Sequence, residues 1–303
     1  MSILVVGSVA FDSVETPFGR VEEVLGGSGT YFATSASFFT DVQLVAVVGE
    51  DFPEEHLDFL RSRRVDLGGL KTVPGRTFRW RGRYDYDLNE AHTLETQLNV
   101  FETFRPELPQ GYEDARFVFL ANIDPELQLE VLKQVKRPEL VACDTMNFWI
   151  EGKREALLKT LRHVDILLIN EGEARQLAEE PNLVKAARTI LAMGPKTLVV
   201  KRGEYGVLMF HEHSVFSAPA YPLEEVFDPT GAGDTFGGGF TGYLAATGNL
   251  SEASLRKAIV FGSVMASFNV ENFSLNRMKT LEYPEIEARF RKFELLTEFE
   301  GLS

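Results

Sequence analysis

Short apolar runs alternate along this chain with longer stretches in which apolar residues recur every three or four positions. The runs Ile3–Val6, Asp41–Val48, Phe117–Ala121, Leu140–Cys143, Val164–Ile169, Thr197–Val200 and Val207–Phe210 are rich in Val, Ile and Leu. Their length and near-continuous hydrophobicity predict strands buried on both faces, as in a parallel sheet. Val65–Leu70 leads to a further strand, and Leu98–Phe101 is a short strand candidate. Tyr31–Phe39, Glu54–Arg64, Asp124–Gln134 and Leu255–Phe268 carry helical spacing, and a charged helix is expected toward Ser303. Strands alternating with helices, with no repeat or linker between them, predict one α/β domain over residues 1–303. Its expected form is three-layered, with a mostly parallel central sheet.

Two stretches follow a different rule. Residues 13–25 alternate weakly around Pro17 and Gly19, the pattern of a hairpin. In residues 76–87, Phe78, Trp80, Tyr84 and Tyr86 alternate with Arg79, Arg81, Arg83 and Asp85. A period of two predicts a strand with one aromatic and one charged face.

Composition narrows the function. Lys and Arg number 31 against 45 Asp and Glu, a net charge of −14. So acidic a chain is poorly suited to nucleic acid or to anionic membranes. Cys143 is the single cysteine, which excludes an intrachain disulfide and a multi-cysteine metal site. The N-terminus has no basic segment ahead of its apolar run, and no stretch reaches the ~18 apolar residues of a membrane span. A cytoplasmic location is expected.

The most distinctive chemistry lies in Val226–Leu244, where Gly231, Gly233 and Gly237–Gly239 sit between apolar segments, with carboxylates at Asp228 and Asp234. Gly231-Ala232-Gly233 suits a backbone that exposes several N–H groups to an anion. The apolar spacing after it predicts a helix, whose N-terminus favours phosphate. Asp234 at that start would repel phosphate, but it can take a proton from a hydroxyl while the amides steady the group being transferred. Its plainer reading is a helix cap. Asp12 follows the first strand where parallel sheets hold ligands, and a carboxylate accepts two hydroxyl hydrogen bonds, as a polyol requires. Gly26 and Gly27 precede a helix and allow a substrate to lie on bare backbone; a tight turn is the alternative. No G-x-G-x-x-G follows the first strand, which argues against a dinucleotide oxidoreductase.

Asp228-Pro229-Thr230-Gly231-Ala232-Gly233-Asp234 resembles the D-x-x-G-A-G-D signature of the ribokinase-like (PfkB) carbohydrate kinases. The resemblance covers residues 1–275. It implies a ribokinase-like fold with a small β-sheet lid from strands inserted at about 13–25 and 72–104. That lid would close over the substrate or pack on the lid of a second copy in a homodimer. It further implies ATP and Mg²⁺, with Asp234 as base, Gly231, Ala232 and Gly233 as anion hole, and Gly7, Asp12, Gly26 and Gly27 at the acceptor. Asn170 and Glu173 match the family's N-x-x-E, which holds Mg²⁺ through water; the same spacing is close to a capping box. Lys201, Gly203 and Gly206 match the turn beside the nucleotide. Asp228 and Thr230 belong to a monovalent-cation site in relatives, and dependence on K⁺ is left open by Val270–Phe273. Thr30 and Tyr31 stand where the family often has a substrate-binding Asn, and Phe148-Trp149 where an Arg is expected. The expected activity is phosphorylation of a sugar or polyol hydroxyl. The alternatives are a nucleoside kinase of the same fold and a ligand-binding member without turnover.

Overall fold

The computed structural model describes residues 2–89 and 91–298. In chain order the strands are β1 (Ser2–Val6), β2 (Ala10–Thr16), β3 (Gly19–Gly26), β4 (Asp41–Gly49), β5 (Val65–Val73), β6 (Phe78–Tyr84), β7 (Ala91–Gln97), β8 (Phe117–Leu120), β9 (Leu140–Asp144), β10 (Ile166–Asn170), β11 (Thr197–Lys201), β12 (Val207–His211) and β13 (Ser214–Ala218). The helices are α1 (Ser28–Ala36), α2 (Glu54–Ser62), α3 (Pro125–Gln134), α4 (Asn147–Gly152), α5 (Arg154–Leu161), α6 (Glu171–Ala178), α7 (Leu183–Leu191), α8 (Ala232–Thr247), α9 (Glu252–Asn269), α10 (Asn276–Thr280) and α11 (Tyr283–Thr297).

Nine strands form the main sheet in the order β13-β12-β11-β10-β9-β8-β1-β4-β5 among the described residues. All pair in parallel except β12 and β13, which close one edge antiparallel. Successive side chains of a strand point to opposite faces. Accordingly Ile3 and Val5 join one buried cluster, with α1, α8 and α9, while Leu4 and Val6 join another, with α3, α5, α6 and α7. A sheet buried on both faces needs apolar residues at every position, which is the continuous pattern seen in these runs.

The second sheet has four strands in the order β3-β2-β6-β7. β2 and β3 are the expected hairpin; β6 is the aromatic strand, joined in parallel to β2. Leu98–Phe101 is not a strand. A short 3-10 turn covers Asn99–Thr103, and the Val100 N–H bonds the Arg76 carbonyl at 3.1 Å. The strand of this region is β7, whose residues are nearly all exposed. On the charged face of β6, Arg81 and Arg83 are exposed but Arg79 is largely covered. Arg79 lies 5.1 Å from the Phe11 ring centre and pairs with Glu23 at 2.7 Å and Asp51 at 2.9 Å. The C-terminal helix ends at Thr297, and residues 299–303, where the sequence pattern extended it, lie outside the described residues.

Helix α8 enters the core with glycines on the side facing α1. A Cβ at Gly238 would collide with the Phe32 carbonyl oxygen and lie 2.7 Å from Ser35 Cβ. Gly238→Ala is therefore expected to cost roughly 1–3 kcal/mol through overpacking, read as a lower denaturant midpoint at unchanged slope. None of the described helices is long and apolar enough to cross a membrane.

Candidate active site

The loop before α8 is fixed by bonds to Asn269 and Ser274, distant in the chain. Buried Asp228 accepts the Thr230 N–H at 2.9 Å on one oxygen and the Ser274 N–H at 3.2 Å on the other. Asn269, at the end of α9, donates to the Thr230 carbonyl at 2.8 Å. Its side-chain oxygen accepts from Thr235 at 3.3 Å. These bonds make Asp228 a staple of the loop.

Gly231 then caps α8 with φ 73°, a left-handed conformation that side chains resist. A Cβ here would run into the ring of Tyr31. The Ala232 N–H is engaged by the Pro229 carbonyl at 3.1 Å. The N–H groups of Gly233 and Asp234 stand in the first turn, where no carbonyl lies one turn back to accept them. They stand at the positive end of the helix, the Asp234 N–H turned to its own carboxylate.

Asp234 projects between two groups of charges. On one side Lys201, at the end of β11, pairs with buried Asp144 at 2.9 Å. Its Nζ would stand 2.9 Å from a Cβ at Gly233. Although burial works against the ammonium, Asp144, Glu173 and Asp234 together hold the Lys201 pKa above its usual value. Burial and the Asp144 charge push the Asp234 carboxyl up to about 7, with Lys201 opposing. Burial and Asp144 push Glu173 up to about 7 as well. Glu173 also closes a capping box: it accepts the Asn170 N–H at 2.8 Å, and Asn170 accepts the Glu173 N–H at 2.8 Å.

On the other side is Asp12, within β2 rather than in a loop. Its carboxylate folds over bare Gly26 and accepts the Gly27 N–H. Burial, with lesser contributions from Asp228 and Asp234, pushes it up to about 7. The Tyr31 hydroxyl is buried against Asp12 and favours its ionised form, whereas the Thr30 and Thr145 hydroxyls are buried with no hydrogen-bond partner. Gly7 serves packing, since a Cβ there would lie 2.7 Å from Gly29 Cα.

The smaller sheet meets this crevice at two points. Tyr84, from β6, accepts a hydrogen bond from the Thr230 hydroxyl at 3.3 Å. Asn89 brings its side-chain oxygen 2.5 Å from where a Cβ at Gly203 would stand. Gly203 thus permits a close approach by the hairpin tip. Gly206 abuts the Ala218 carbonyl and belongs to the β12–β13 edge.

The structure therefore brings Asp12, Gly26, Gly27, Gly231, Gly233, Asp234, Lys201, Asn170 and Glu173 around one crevice, and places Gly206 apart. Tyr84, Asn269 and Ser274 were not legible as site residues, and Asp144 was visible only as the start of the stretch in which Phe148-Trp149 replaces an expected Arg. Tyr31 was visible only as a departure from the usual Asn. Among the described residues, no cluster of three or more His, Cys, Asp or Glu side chains could hold a metal ion unaided. Carboxylates at 144, 173 and 234, with Asp144 acting on both of the others, do fit Mg²⁺, which keeps its waters and takes few protein ligands.

Comparison with known proteins identifies the family. The family model described as "pfkB family carbohydrate kinase" matches residues 2–280. A cytidine kinase from Thermococcus kodakarensis is 33% identical over 79% of this chain and 87% of its own. A ribokinase from Bacillus subtilis is 36% identical over 90% of this chain and 94% of its own. A putative ribokinase II from E. coli, solved with ATP and Mg²⁺, superposes with a TM-score of 0.76 at 20% identity, covering 96% of this chain and 99% of that one. The chain belongs to the PfkB family of carbohydrate kinases and is a phosphotransferase with the ribokinase fold.

Proposed function

We propose that the protein transfers the γ-phosphoryl group of ATP to a hydroxyl of a sugar or nucleoside, with Asp234 as the general base. The observation that supports this best is the position of Asp234. It stands at the N-terminus of α8, next to the Gly233 N–H and half-buried Lys201, within electrostatic reach of Asp12. Asp12, held in place by the Gly27 N–H, would accept hydrogen bonds from the acceptor hydroxyls. Asp234 takes the proton as the acceptor oxygen bonds to phosphorus, the bond to the ADP oxygen breaks, and ADP leaves. The Gly233 and Asp234 N–H groups and Lys201 stabilise the charge that develops on the phosphoryl oxygens. Glu173, with Asn170 and nearby Asp144, would hold Mg²⁺ through water; the ion supplies charge neutralisation when bound. The ATP and Mg²⁺ in the E. coli neighbour and the names of the relatives support this reading. Release of ADP, measured over a panel of sugars and nucleosides, tests it; no release with any acceptor would refute it.

The charges around Asp234 fix the direction of its pH dependence. A base must be ionised, so kcat/KM is expected to fall as pH drops through about 7, the value to which burial raises this carboxyl. Lys201→Met removes the cation that opposes that rise and shifts the limb to higher pH. Asp144→Asn removes the carboxylate that contributes to it and shifts the limb to lower pH. Parallel pH profiles check both; shifts of the same sign would exclude Asp234 as the titrating group.

A further inference from the structure

The loop before α8 rests on one short stretch, residues 269–274, none of which takes part in the chemistry. The Val270 carbonyl accepts the Phe227 N–H at 2.8 Å, and the Ser274 N–H reaches Asp228. Asn269 does more. It is wholly buried, and its amide donates to the Thr230 carbonyl at 2.8 Å while accepting from the Thr235 hydroxyl at 3.3 Å. The orientation of the amide is fixed, because a carbonyl can only accept. Thr230 and Thr235 flank Gly231, Ala232, Gly233 and Asp234, so one planar group spans the turn that carries both the amides and the base. Glycine lets phosphate come close but leaves the backbone free. A bridging amide takes that freedom away.

The stretch is held in turn from the C-terminal helix. Glu271 accepts Arg289 of α11 on one oxygen at 2.6 Å and Arg277 of α10 on the other at 2.9 Å. Both guanidinium groups lie against the Phe268 ring, 3.5 and 4.9 Å from its centre, and Arg289 also donates to the Ser267 hydroxyl at 3.0 Å. All three charged side chains are largely covered. A doubly held carboxylate thus stands two residues after Asn269. We infer that Asn269 is a positioning residue for the transfer, aiming the first turn of α8 at the phosphoryl group, and that Arg289 keeps Asn269 in register through Glu271. The inference rests on the phosphotransfer reading and adds to it residues that never touch substrate. Donors of this kind help only if they already point where charge develops. A misplacement of about 1 Å costs about 10²-fold.

The test uses the full chain. Asn269→Ala is expected to lower kcat about 10- to 100-fold, with KM for the acceptor changed by no more than about two-fold. Thr235→Val removes one of the two bonds and should lower kcat about 3- to 10-fold. The double variant should be no worse than Asn269→Ala alone, because both changes act through one bridge. Arg289→Met, on the remote helix, should lower kcat about 3- to 10-fold. Equilibrium titration with ADP and with a non-hydrolysable ATP analogue, both with Mg²⁺, gives a second readout. Each variant should weaken binding of the analogue and keep that of ADP, since the bridge sets only the groups that meet the γ-phosphoryl group. A purely structural role would lower the denaturant midpoint while kcat and the ratio of the two affinities stay unchanged, and that result would overturn the inference. Additive losses in the double variant, or equal weakening for both nucleotides, would overturn it too. If Asn269→Ala does not fold, Thr235→Val and Arg289→Met carry the same readouts. No ADP release by the unaltered chain with any acceptor would refute the phosphotransfer reading instead, and the ratio of affinities would still decide whether Asn269 sets the loop.

Discussion

Asp234→Asn is expected to lower kcat by about 10²- to 10⁴-fold, the usual contribution of a positioned general base. Asn preserves the shape, the helix start and the Gly233 and Asp234 N–H groups, so nucleotide affinity should stay within a few-fold. The loss should appear equally in kcat and kcat/KM, because the proton moves only in the transition state. Single-turnover phosphotransfer together with a nucleotide-binding titration separates the two quantities. A variant that keeps most of its turnover would show that another group takes the proton. A variant that loses nucleotide binding would show instead that Asp234 organises the loop.

Asp12→Asn is expected to reduce kcat/KM about 10²- to 10³-fold, because hydrogen bonds from hydroxyls to a carboxylate contribute about 1.5–3 kcal/mol each. The same change should strengthen the fold at alkaline pH. Burial raises Asp12 from 3.8 to about 7. A raised acid contributes stability that is fully present below its unfolded value, near 3.8, and lost as pH climbs through about 7. Above pH 8 the ionised carboxylate, only 4% exposed, weakens the protein by something on the order of 4 kcal/mol relative to its protonated form. Asn does not titrate. Its stability advantage should therefore grow between pH 5 and pH 8, measured as the difference in denaturant midpoint. A constant difference across that range would mean that Asp12 is not buried as a charge.

Much of the main sheet is legible in the chain because local pattern and global burial demand the same residues. The runs around Val5, Phe119, Leu168 and Val199 are apolar at consecutive positions, and only a sheet covered on both faces buries them all. The glycine-rich loop is legible for the same reason: Gly231 and Gly233 suit that one backbone locally. What escaped reading depends on partners far away in sequence. Strand β7 exists because β6 offers it an edge, and its exposed polar residues carry no period of their own. Apolar Leu98–Phe101 imitates a strand, yet its buried residue is held by a turn. Asn269 and Ser274 reach the loop from beyond α8, and Asp144 gains its meaning from Lys201, 57 positions later. Spacing along the chain cannot reveal such pairs.

The route by which the smaller sheet is stitched together imposes an order of assembly on the molecule. Its parallel partners, β2 and β6, are separated by β3, α1, β4, α2 and β5. They meet only after a long loop closes, and the entropy of that closure is recovered once the intervening elements have a sheet to dock on. The crevice thus acquires its aromatic wall late, after the scaffold beneath it has formed. A newly made chain can be compact before it is competent.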